Sequence, residues 1–381
     1  MSFTIWGLLA ALPGLCIWAI LLLLPRRHWS TRESLDADPA APTANDLSRV
    51  TVLIPARNEA DVIEKTLQGL TSQGPGLKVL VIDDLSTDQT GAIALTAKIA
   101  GLEVVRGDSL PDGWSGKLWA LEQGRKRITS EMVLLLDADI HLLPGTIQAL
   151  VHKLERDRLD LVSLMAHLHM QGLWEKLLVP AFVFFFKLLY PFRLSNSPAH
   201  GVAAAAGGCL LIKKSLLDDI GAFGSLRNAL IDDCALAHQA KKAGGKTWIG
   251  LTHSAISLRP YRNLQDIWDM VARSAYTQLR YSFVLLLICT ALMAIMFLFP
   301  LTAVLSLEPP GLVAMFLMYL CYLPTLRYYG IQPLWGWLLP VAGILYLCMA
   351  WTSAWRHAYR RGAVWKGRSY SMTAGKNCNF R

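Results

Sequence analysis

The stretch that decides the fold is MVLLLDADI, residues 132–140, in which a continuous apolar run passes directly into two aspartates. A short apolar run between polar segments is typical of a strand that is buried on both faces. Asp137 and Asp139 are separated by a single alanine. Two interpretations are open for this pair, a metal site or a solvated turn at the end of a strand.

The segments before this stretch alternate between strand and helix patterns. VTVLIPA at 50–56, KVLVIDD at 78–84 and LEVVRG at 102–107 indicate strands, and apolar residues at helical spacing follow each of the first two. KLWALEQGRKRI at 117–128 indicates a helix before the fourth strand. The alternation predicts an α/β fold with a mostly parallel sheet and helices on both faces, in which ligands bind at the carboxyl ends of the strands.

Acidic pairs stand at the ends of two of these strands. Asp83 and Asp84 end the second strand, and Asp137 and Asp139 end the fourth. A solvated turn explains one such pair more easily than two pairs at equivalent strand ends. Hard oxygen donors at this spacing suit Mg²⁺ or Mn²⁺, which keep water and phosphate as their remaining ligands.

Two loops add polar residues near the same sheet edge. Arg57, Asn58 and Glu59 precede a helix, where they either cap it or form part of a nucleotide site at its N-terminus. Lys117 follows a glycine near the start of another helix, where it either neutralises phosphate or is an ordinary exposed lysine.

A third acidic pair, Asp232 and Asp233, opens an amphipathic helix in NALIDDCALAHQAKKAG, residues 228–244. Acidic residues at a helix start suit the helix dipole. Alternatively, one of them is a general base that takes a proton from an acceptor hydroxyl. The sequence has no Gly-rich phosphate loop of either common type, which disfavours a P-loop or dinucleotide-binding fold.

Apolar blocks flank the middle of the chain. Ile5 to Leu24 carries no charge and spans about 30 Å as a helix, the thickness of a hydrocarbon core. Phe283 to Leu307, Leu334 to Trp355 and the shorter Leu312 to Leu326 are the other candidates. Arginines follow the first block, so the positive-inside rule places the N-terminus outside and the middle of the chain in the cytoplasm.

These patterns predict five parts: an N-terminal transmembrane anchor at 1–25, a linker at 26–48, a cytoplasmic domain at 49–282, a membrane region at 283–356 with two or three crossings, and a basic tail at 357–381. The formal net charge is +9. Because the basic runs adjoin the apolar blocks, we expect them to face anionic lipid and not nucleic acid. The seven cysteines show no metal or redox spacing, which indicates a reduced compartment.

The order of the motifs resembles family 2 glycosyltransferases of the GT-A fold. The motifs that carry this resemblance lie within about residues 50–280 and are VLIPARNEADVI, VLVIDDLSTDQT, LLLDADIHLLPG and GGCLLIKKSLLDDIGAFGSLRNALIDDCALAHQAKKAGG. The set is also similar to a membrane-bound group associated with hopanoid biosynthesis in bacteria and to ceramide glucosyltransferases, through DGWSGKLWAL, SLRPYRNLQDIWDMVARSAYTQLRYS and AVWKGRSY.

The resemblance implies a role for each motif residue. The nucleotide-sugar site would comprise Pro55, Arg57, Glu59, Asp83, Asp84, Lys117, Asp137 and Arg273, with Asp84 the expected base contact. Asp137 and Asp139 would form the DxD motif and bind Mg²⁺ or Mn²⁺, with Asp139 the more direct ligand. Asp233 would be the catalytic base, and Asp232 replaces the glutamate of the family's acidic pair. The family's Gln-x-x-Arg-Trp motif is not intact here, because Ser274 follows Arg273.

The resemblance also implies an inverting transfer from a nucleotide-diphosphate sugar, such as a UDP-sugar, to a lipid acceptor at the bacterial cytoplasmic membrane, with a link to hopanoid biosynthesis. Apolar segments near 172–192 and 262–281 are interpreted as interfacial helices beside the active site, with the lysines of the first reaching the headgroups. Alternatives are transfer to polyprenol phosphate, a non-catalytic nucleotide-binding membrane scaffold, and a metal-dependent phosphohydrolase for which His141 is the nearest histidine.

Overall fold

The computed structural model describes residues 5–38, 45–227, 232–306, 308–359, 364–365 and 368–369, and side chains from residue 12 to residue 359 of these. Two compact units emerge from the contacts within the chain. The sheet unit is built mainly from Glu33–His169 and Phe192–Pro260. The helical unit is built from Met1–Arg32, Met170–Pro191 and Tyr261–Val364.

The sheet unit contains one eight-stranded sheet with the order β3-β2-β1-β4-β7-β6-β8-β5. Its strands are β1 Val50–Ala56, β2 Lys78–Asp83, β3 Leu102–Arg106, β4 Met132–Leu136, β5 Ile140–Leu142, β6 Leu161–His167, β7 Cys209–Lys213 and β8 Thr247–Ser257. Two further strands of two residues each, β9 Val364–Trp365 and β10 Arg368–Ser369, lie in the C-terminal tail.

The first four strands pair in parallel, as predicted. The rest of the sheet is mixed, because β7 runs antiparallel to both β4 and β6, and β5 runs antiparallel to β8. The pair β6 and β8 is parallel. The sheet is therefore mostly parallel, with four parallel pairings and three antiparallel ones. The alternation of strands and helices in the sequence predicts only the pairing of β1 to β4, where helices separate the strands.

The helices are α1 Ile5–Leu23, α2 Ile63–Thr71, α3 Thr90–Thr96, α4 Gly116–Arg125, α5 Thr146–Arg156, α6 Leu173–Leu189, α7 Phe192–Ser195, α8 Lys214–Asp219, α9 Asp232–Lys242, α10 Leu264–Ala272, α11 Ala275–Gln278, α12 Phe283–Met293, α13 Phe299–Leu305, α14 Pro309–Tyr328 and α15 Leu339–Ala358. Short 3₁₀ helices lie at Ala222–Leu226 and Pro333–Leu338, and a π-helical turn joins α12 to α13 at Ala294–Leu298.

Helices cover both faces of the sheet, as predicted. Val52 and Ile54 of β1 pack in one core cluster with α2, α3 and α5. Leu53 points to the opposite face and packs in a second cluster with α4, α8 and α9. Because successive side chains of a strand point to opposite faces, an uninterrupted apolar strand is what a sheet covered on both sides requires.

The helical unit holds the apolar blocks. The segments Phe283–Leu305, Pro309–Tyr328 and Pro333–Ala358 are each long and apolar enough to cross a membrane. Of α1, the part with described side chains, Leu12–Leu23, is apolar but shorter than a span. Within this unit α1 is packed closely, since Trp18 is fully buried and donates a hydrogen bond to the Met296 carbonyl at 2.8 Å.

The predicted interfacial segments near 172–192 and 262–281 fall largely in the helical unit, as α6 and as α10 with α11. The expectation that both lysines of α6 reach the headgroups is wrong for Lys187. Its side chain is 1% exposed, and its ammonium donates to the carbonyls of Trp29 and Ser30, which follow α1. Lys187 therefore satisfies buried backbone carbonyls, which are costly to leave unpaired.

Candidate active site

The carboxyl ends of β1, β2 and β4 meet at one edge of the sheet. Ala56, the last residue of β1, is in register with Asp83, the last of β2, and the two strands run parallel. Asp137 follows the last residue of β4 and donates its backbone N–H to the Gly208 carbonyl at 3.1 Å. Strand β7 then carries the chain away in the antiparallel direction, so residues just before it also face this edge.

Lys117 lies at the centre of the candidate site. The start of α4 places its ammonium 2.8 Å from Asp137 Oδ1 and 3.6 Å from Asp232 Oδ2. Burial by itself would lower the pKa of Lys117, but the carboxylates of Asp137, Asp232 and Asp233 outweigh it and raise the pKa. Lys117 is therefore a fixed positive charge, and it links the predicted metal motif to the predicted catalytic pair.

Two backbone N–H groups orient the carboxylate of Asp233. Gly207 donates to Oδ2 at 2.8 Å and Cys234 donates to Oδ1 at 2.7 Å. Burial, with the charge of Asp232 in addition, raises the pKa of Asp233 to about 6, although Lys117 acts in the opposite direction. A carboxylate with a pKa near neutrality, held in one orientation, has the properties of a general base.

Gly207 lies where an added Cβ would press on the lysine and the proposed base. A Cβ at this position would lie 3.2 Å from Lys117 Nζ and 3.4 Å from Asp233 Oδ2. We expect Gly207→Ala to lower kcat about tenfold, because small displacements of a catalytic group are costly. Gly201→Ala is the matched control, since its Cβ would meet nothing within 4 Å. Equal turnover of the two variants in a transfer assay would show that Gly207 does not position the base.

A second cation, Arg259, pairs with the other aspartate of the predicted DxD motif. Its Nε donates to Asp139 Oδ2 at 2.9 Å, and its Nη2 donates to Glu59 Oε2 at 2.7 Å. The pairing of β5 with β8 brings Arg259 here, because Leu258 at the end of β8 donates its backbone N–H to the Asp139 carbonyl at 2.8 Å. Sequence reasoning missed Arg259, although it lies in the motif SLRPYRNLQD.

The remaining predicted nucleotide residues lie at the ends of β1 and β2. Pro55 lines the same small cavity as Lys117. Arg57 donates to the carbonyls of Asp84 and Leu85 and lies 3.9 Å from the Asp84 carboxylate. Asp84 is fully buried, whereas Asp83 is partly exposed and accepts a hydrogen bond from the Ser86 backbone. Asp83 is therefore the more exposed carboxylate of the pair, and the expected contact of Asp84 with the nucleobase stays a prediction.

Arg273 directly follows α10, belongs to the helical unit and is exposed. Its predicted contact with the nucleotide stays a prediction.

The donor set fits a divalent cation that brings phosphate ligands of its own. Asp137 and Asp139 supply hard oxygens, as Mg²⁺ and Mn²⁺ require. The nearby thiols are soft ligands that suit these two ions less well, and burial raises the pKa of Cys209 to about 12 and that of Cys234 well above its usual value. Among the described residues, no group of three or more His, Cys, Asp or Glu side chains is arranged to hold a metal. The cation would therefore depend on oxygens from a bound diphosphate.

The alternative of a metal-dependent phosphohydrolase depends on protein ligands other than the two aspartates. His141, the histidine nearest to the DxD motif in sequence, uses its Nδ1 for a 2.8 Å hydrogen bond with the Lys65 carbonyl. A phosphohydrolase that works through protein-held metals needs more ligands than Asp137 and Asp139.

A small cavity of about 20 Å³ lies among these groups. Its polar lining comes from Lys117, Asp137, Asp232 and Asp233, together with Gly207. This volume holds one water molecule. The Asp137 side chain is 33% exposed, so a ligand can approach it from solvent, and a cation that binds Asp137 Oδ1 would compete with Lys117.

The activity of a base with this pKa has a defined pH dependence. Asp233 accepts a proton only when ionised, so we expect kcat/KM to fall as the pH drops below about 6. Lys117→Met removes a charge that favours the ionised form, so its acidic limb should lie at higher pH. A pH profile from 5 to 9, with the wild type as reference, measures both limbs. A limb that is the same in both proteins would contradict this assignment.

Comparison with known proteins shows which family the sequence matches. Residues 51–221 match the model of the family described as Glycosyl transferase family 2. A 4,4'-diaponeurosporenoate glycosyltransferase of Staphylococcus haemolyticus is 32% identical over 138 residues, which are 36% of this chain and 34% of that protein. Its counterpart in Staphylococcus aureus strain MRSA252 is 29% identical over 133 residues, 35% of this chain and 33% of that protein. The chain thus spans about a third of the length of these curated relatives.

The fold is also found in a solved structure. A mannosyltransferase from Pyrobaculum calidifontis, in complex with GDP-Man and Mn²⁺, superposes with a TM-score of 0.55 at 19% identity, over 92% of this chain and 98% of that one. The predicted GT-A fold is therefore confirmed, and the arrangement of helices and strands extends to nearly the whole of both chains.

Proposed function

We propose that this chain, which carries a family 2 glycosyltransferase domain at residues 51–221, is an inverting glycosyltransferase. It moves a sugar from a nucleotide-diphosphate sugar to a lipid acceptor. The observation that carries the proposal is the orientation of Asp233, whose two carboxylate oxygens each accept a backbone N–H beside Lys117 and Asp137.

In the proposed reaction Asp233 takes the proton from an acceptor hydroxyl, and the oxygen attacks the anomeric carbon of the donor sugar from the side opposite the leaving diphosphate. Gly207 and Cys234 keep the carboxylate in place during proton transfer. Asp232 lies 3.6 Å from Lys117 and forms an ion pair with it. The negative charge of Asp232 also raises the pKa of Asp233. These contacts hold the base ready for reaction before the substrate arrives.

Asp137 and Asp139 would hold Mg²⁺ or Mn²⁺, which supplies charge stabilisation for the leaving nucleotide diphosphate. Lys117 and Arg259 add fixed positive charge at the same place. Pro55, Arg57, Asp83 and Glu59 would border the nucleoside of the donor, for which a UDP-sugar is the first candidate. The Pyrobaculum protein was solved with GDP-Man, so GDP-sugars belong in the same donor screen.

A lipid acceptor is supported by the apolar segments of the helical unit, three of which are long enough to cross a membrane. Curated relatives act, by their names, on 4,4'-diaponeurosporenoate. We place the sheet unit on the cytoplasmic face of a bacterial inner membrane, because arginines follow α1 and donor nucleotides are cytoplasmic. A hopanoid is the first acceptor class to test, on the motif resemblance described above.

The direct test uses the full chain in lipid vesicles with UDP- and GDP-sugars. Lipid extracts from a host that expresses the chain and from a host that lacks it serve as acceptors, and mass spectrometry detects a new lipid glycoside. Release of nucleotide diphosphate that depends on added lipid supports the proposal. Binding of nucleotide without release at any donor or lipid would favour a non-catalytic scaffold.

A polyprenol-phosphate acceptor makes a different demand on the site. A phosphate is already an oxyanion at neutral pH, so its attack needs no general base. Transfer to such an acceptor would therefore survive Asp233→Asn, whereas transfer to a hydroxyl would not. The two acceptor classes are distinguished by assaying this one variant with both.

A further inference from the structure

Each carboxylate of the DxD motif is already paired with a cation that belongs to the protein. Asp137 pairs with Lys117 at 2.8 Å and Asp139 pairs with Arg259 at 2.9 Å. A divalent ion would use the same carboxylate oxygens. Opposite charges at this separation attract each other more strongly where solvent is partly excluded, so the two cations compete with an incoming metal ion.

Each cation also has a second carboxylate partner outside the DxD motif. Lys117 lies 3.6 Å from Asp232, and Arg259 lies 2.7 Å from Glu59. When a metal ion takes Asp137 and Asp139, neither cation is left without a counter-charge. Removing one partner of a buried ion pair is costly only if the other is stranded, and here the second carboxylate prevents that.

The four exposed fractions agree with an exchangeable arrangement. The side chains of Lys117 and Asp137 are 23% and 33% exposed, and those of Arg259 and Asp139 are 41% and 20% exposed. Both pairs are thus near enough to solvent for a metal ion and a diphosphate to approach the carboxylates that Lys117 and Arg259 now hold.

We propose that Lys117 and Arg259 are resident counter-ions that occupy the metal ligands until a nucleotide diphosphate arrives, so that metal and nucleotide bind together and the metal alone binds weakly. On exchange, each cation leaves its DxD carboxylate, keeps its second carboxylate and turns toward the diphosphate, whose negative charge completes the balance. Both are positioning residues for the metal ligands. This inference rests on the proposed function, since it takes Asp137 and Asp139 as the metal ligands.

The test measures binding of Mn²⁺ to the full chain in detergent by electron paramagnetic resonance of the free ion, first without nucleotide and then with UDP. We expect Lys117→Met and Arg259→Gln to bind Mn²⁺ alone about tenfold more tightly than the wild type, because a competing charge pair of this kind contributes at least that factor. The same variants should gain less affinity than the wild type when UDP is added.

Matched controls carry equivalent ion pairs away from the site. Lys213 pairs with Asp160 at 2.7 Å, and Arg49 bridges Glu131 and Glu155 as Arg259 bridges Glu59 and Asp139. Lys213→Met and Arg49→Gln should leave Mn²⁺ binding unchanged. Lys117→Arg and Arg259→Lys keep the charge and should restore weak binding of Mn²⁺ alone, and circular dichroism verifies that every variant is folded.

Equal or weaker binding of Mn²⁺ alone in folded Lys117→Met and Arg259→Gln would overturn the proposal, since the cations would then help to build the metal site. Equal tightening in the control variants would overturn it as well, because the effect would reflect overall charge. The measurement requires neither sugar donor nor acceptor. A negative result in this binding test therefore does not contradict the glycosyltransferase proposal. If sugar transfer is not detected, the Mn²⁺-binding result can still be interpreted.

Discussion

Asp233→Asn is expected to lower kcat for transfer to a hydroxyl acceptor by about 10³-fold, because general base catalysis contributes a factor of this size. Asparagine has nearly the same shape as aspartate, and its amide oxygen can accept one of the N–H groups of Gly207 and Cys234. The fold and the donor affinity should therefore be retained. The measurement is a steady-state transfer assay, with binding of UDP recorded in parallel.

Asp219→Asn is the matched control for this change. Asp219 is an exposed aspartate at the end of α8, and its replacement should leave kcat at the wild-type value. If Asp233→Asn keeps more than about a tenth of wild-type turnover with a hydroxyl acceptor, Asp233 is not the base.

Asp139→Ala is expected to reduce transfer by about 10³-fold, with the loss in kcat/KM. The substitution removes a proposed metal ligand and with it the charge that stabilises the leaving diphosphate. It also leaves Arg259 paired with Glu59 only, so a cation remains near the diphosphate but in a changed position. Titration with Mn²⁺ in the transfer assay measures how far excess metal rescues the variant.

Asp157→Ala provides the comparison on the far side of the sheet unit. Asp157 follows α5, and hydrogen bonds from Arg156 and Lys153 lower its pKa to about 2, so it is ionised like a metal ligand but remote from the site's ion pairs. Its variant should keep wild-type transfer and metal dependence. Metal-independent transfer by Asp139→Ala at the wild-type rate would remove the metal from the proposed mechanism.

The local sequence predicted the strand ends correctly because the signals there are short-range. An apolar run such as 132–136 has to be buried on both faces, and the carboxylates that follow it have to lie at the sheet edge. The parallel pairing of β1, β2 and β4 follows from the helices between them, since a helix returns the chain to the same edge. Short-range signals therefore suffice to place Asp83, Asp137 and Asp139 at the sheet edge.

The pairing of β5 to β8 could not be predicted from local sequence patterns. Strand β7 inserts beside β4 in the antiparallel direction, and this choice depends on the competition among all strands for pairing partners. The burial of Lys187 was also missed, because the sequence of an apolar helix with a lysine is compatible both with a buried lysine and with one at a membrane surface. Its carbonyl partners lie more than 150 positions away in sequence.

The sequence by itself determined the acidic residues and their order, and its residues 51–221 match the model of Glycosyl transferase family 2. Only the tertiary structure decided which cation faces which carboxylate. Lys117 reaches both Asp137 and Asp232 because α4 and α9 begin at the same sheet edge, and Arg259 reaches Asp139 because β8 pairs with β5. The physical reason is range: hydrophobic periodicity is read within a dozen residues, whereas an ion pair between residues 139 and 259 forms only when folding brings two distant strands together.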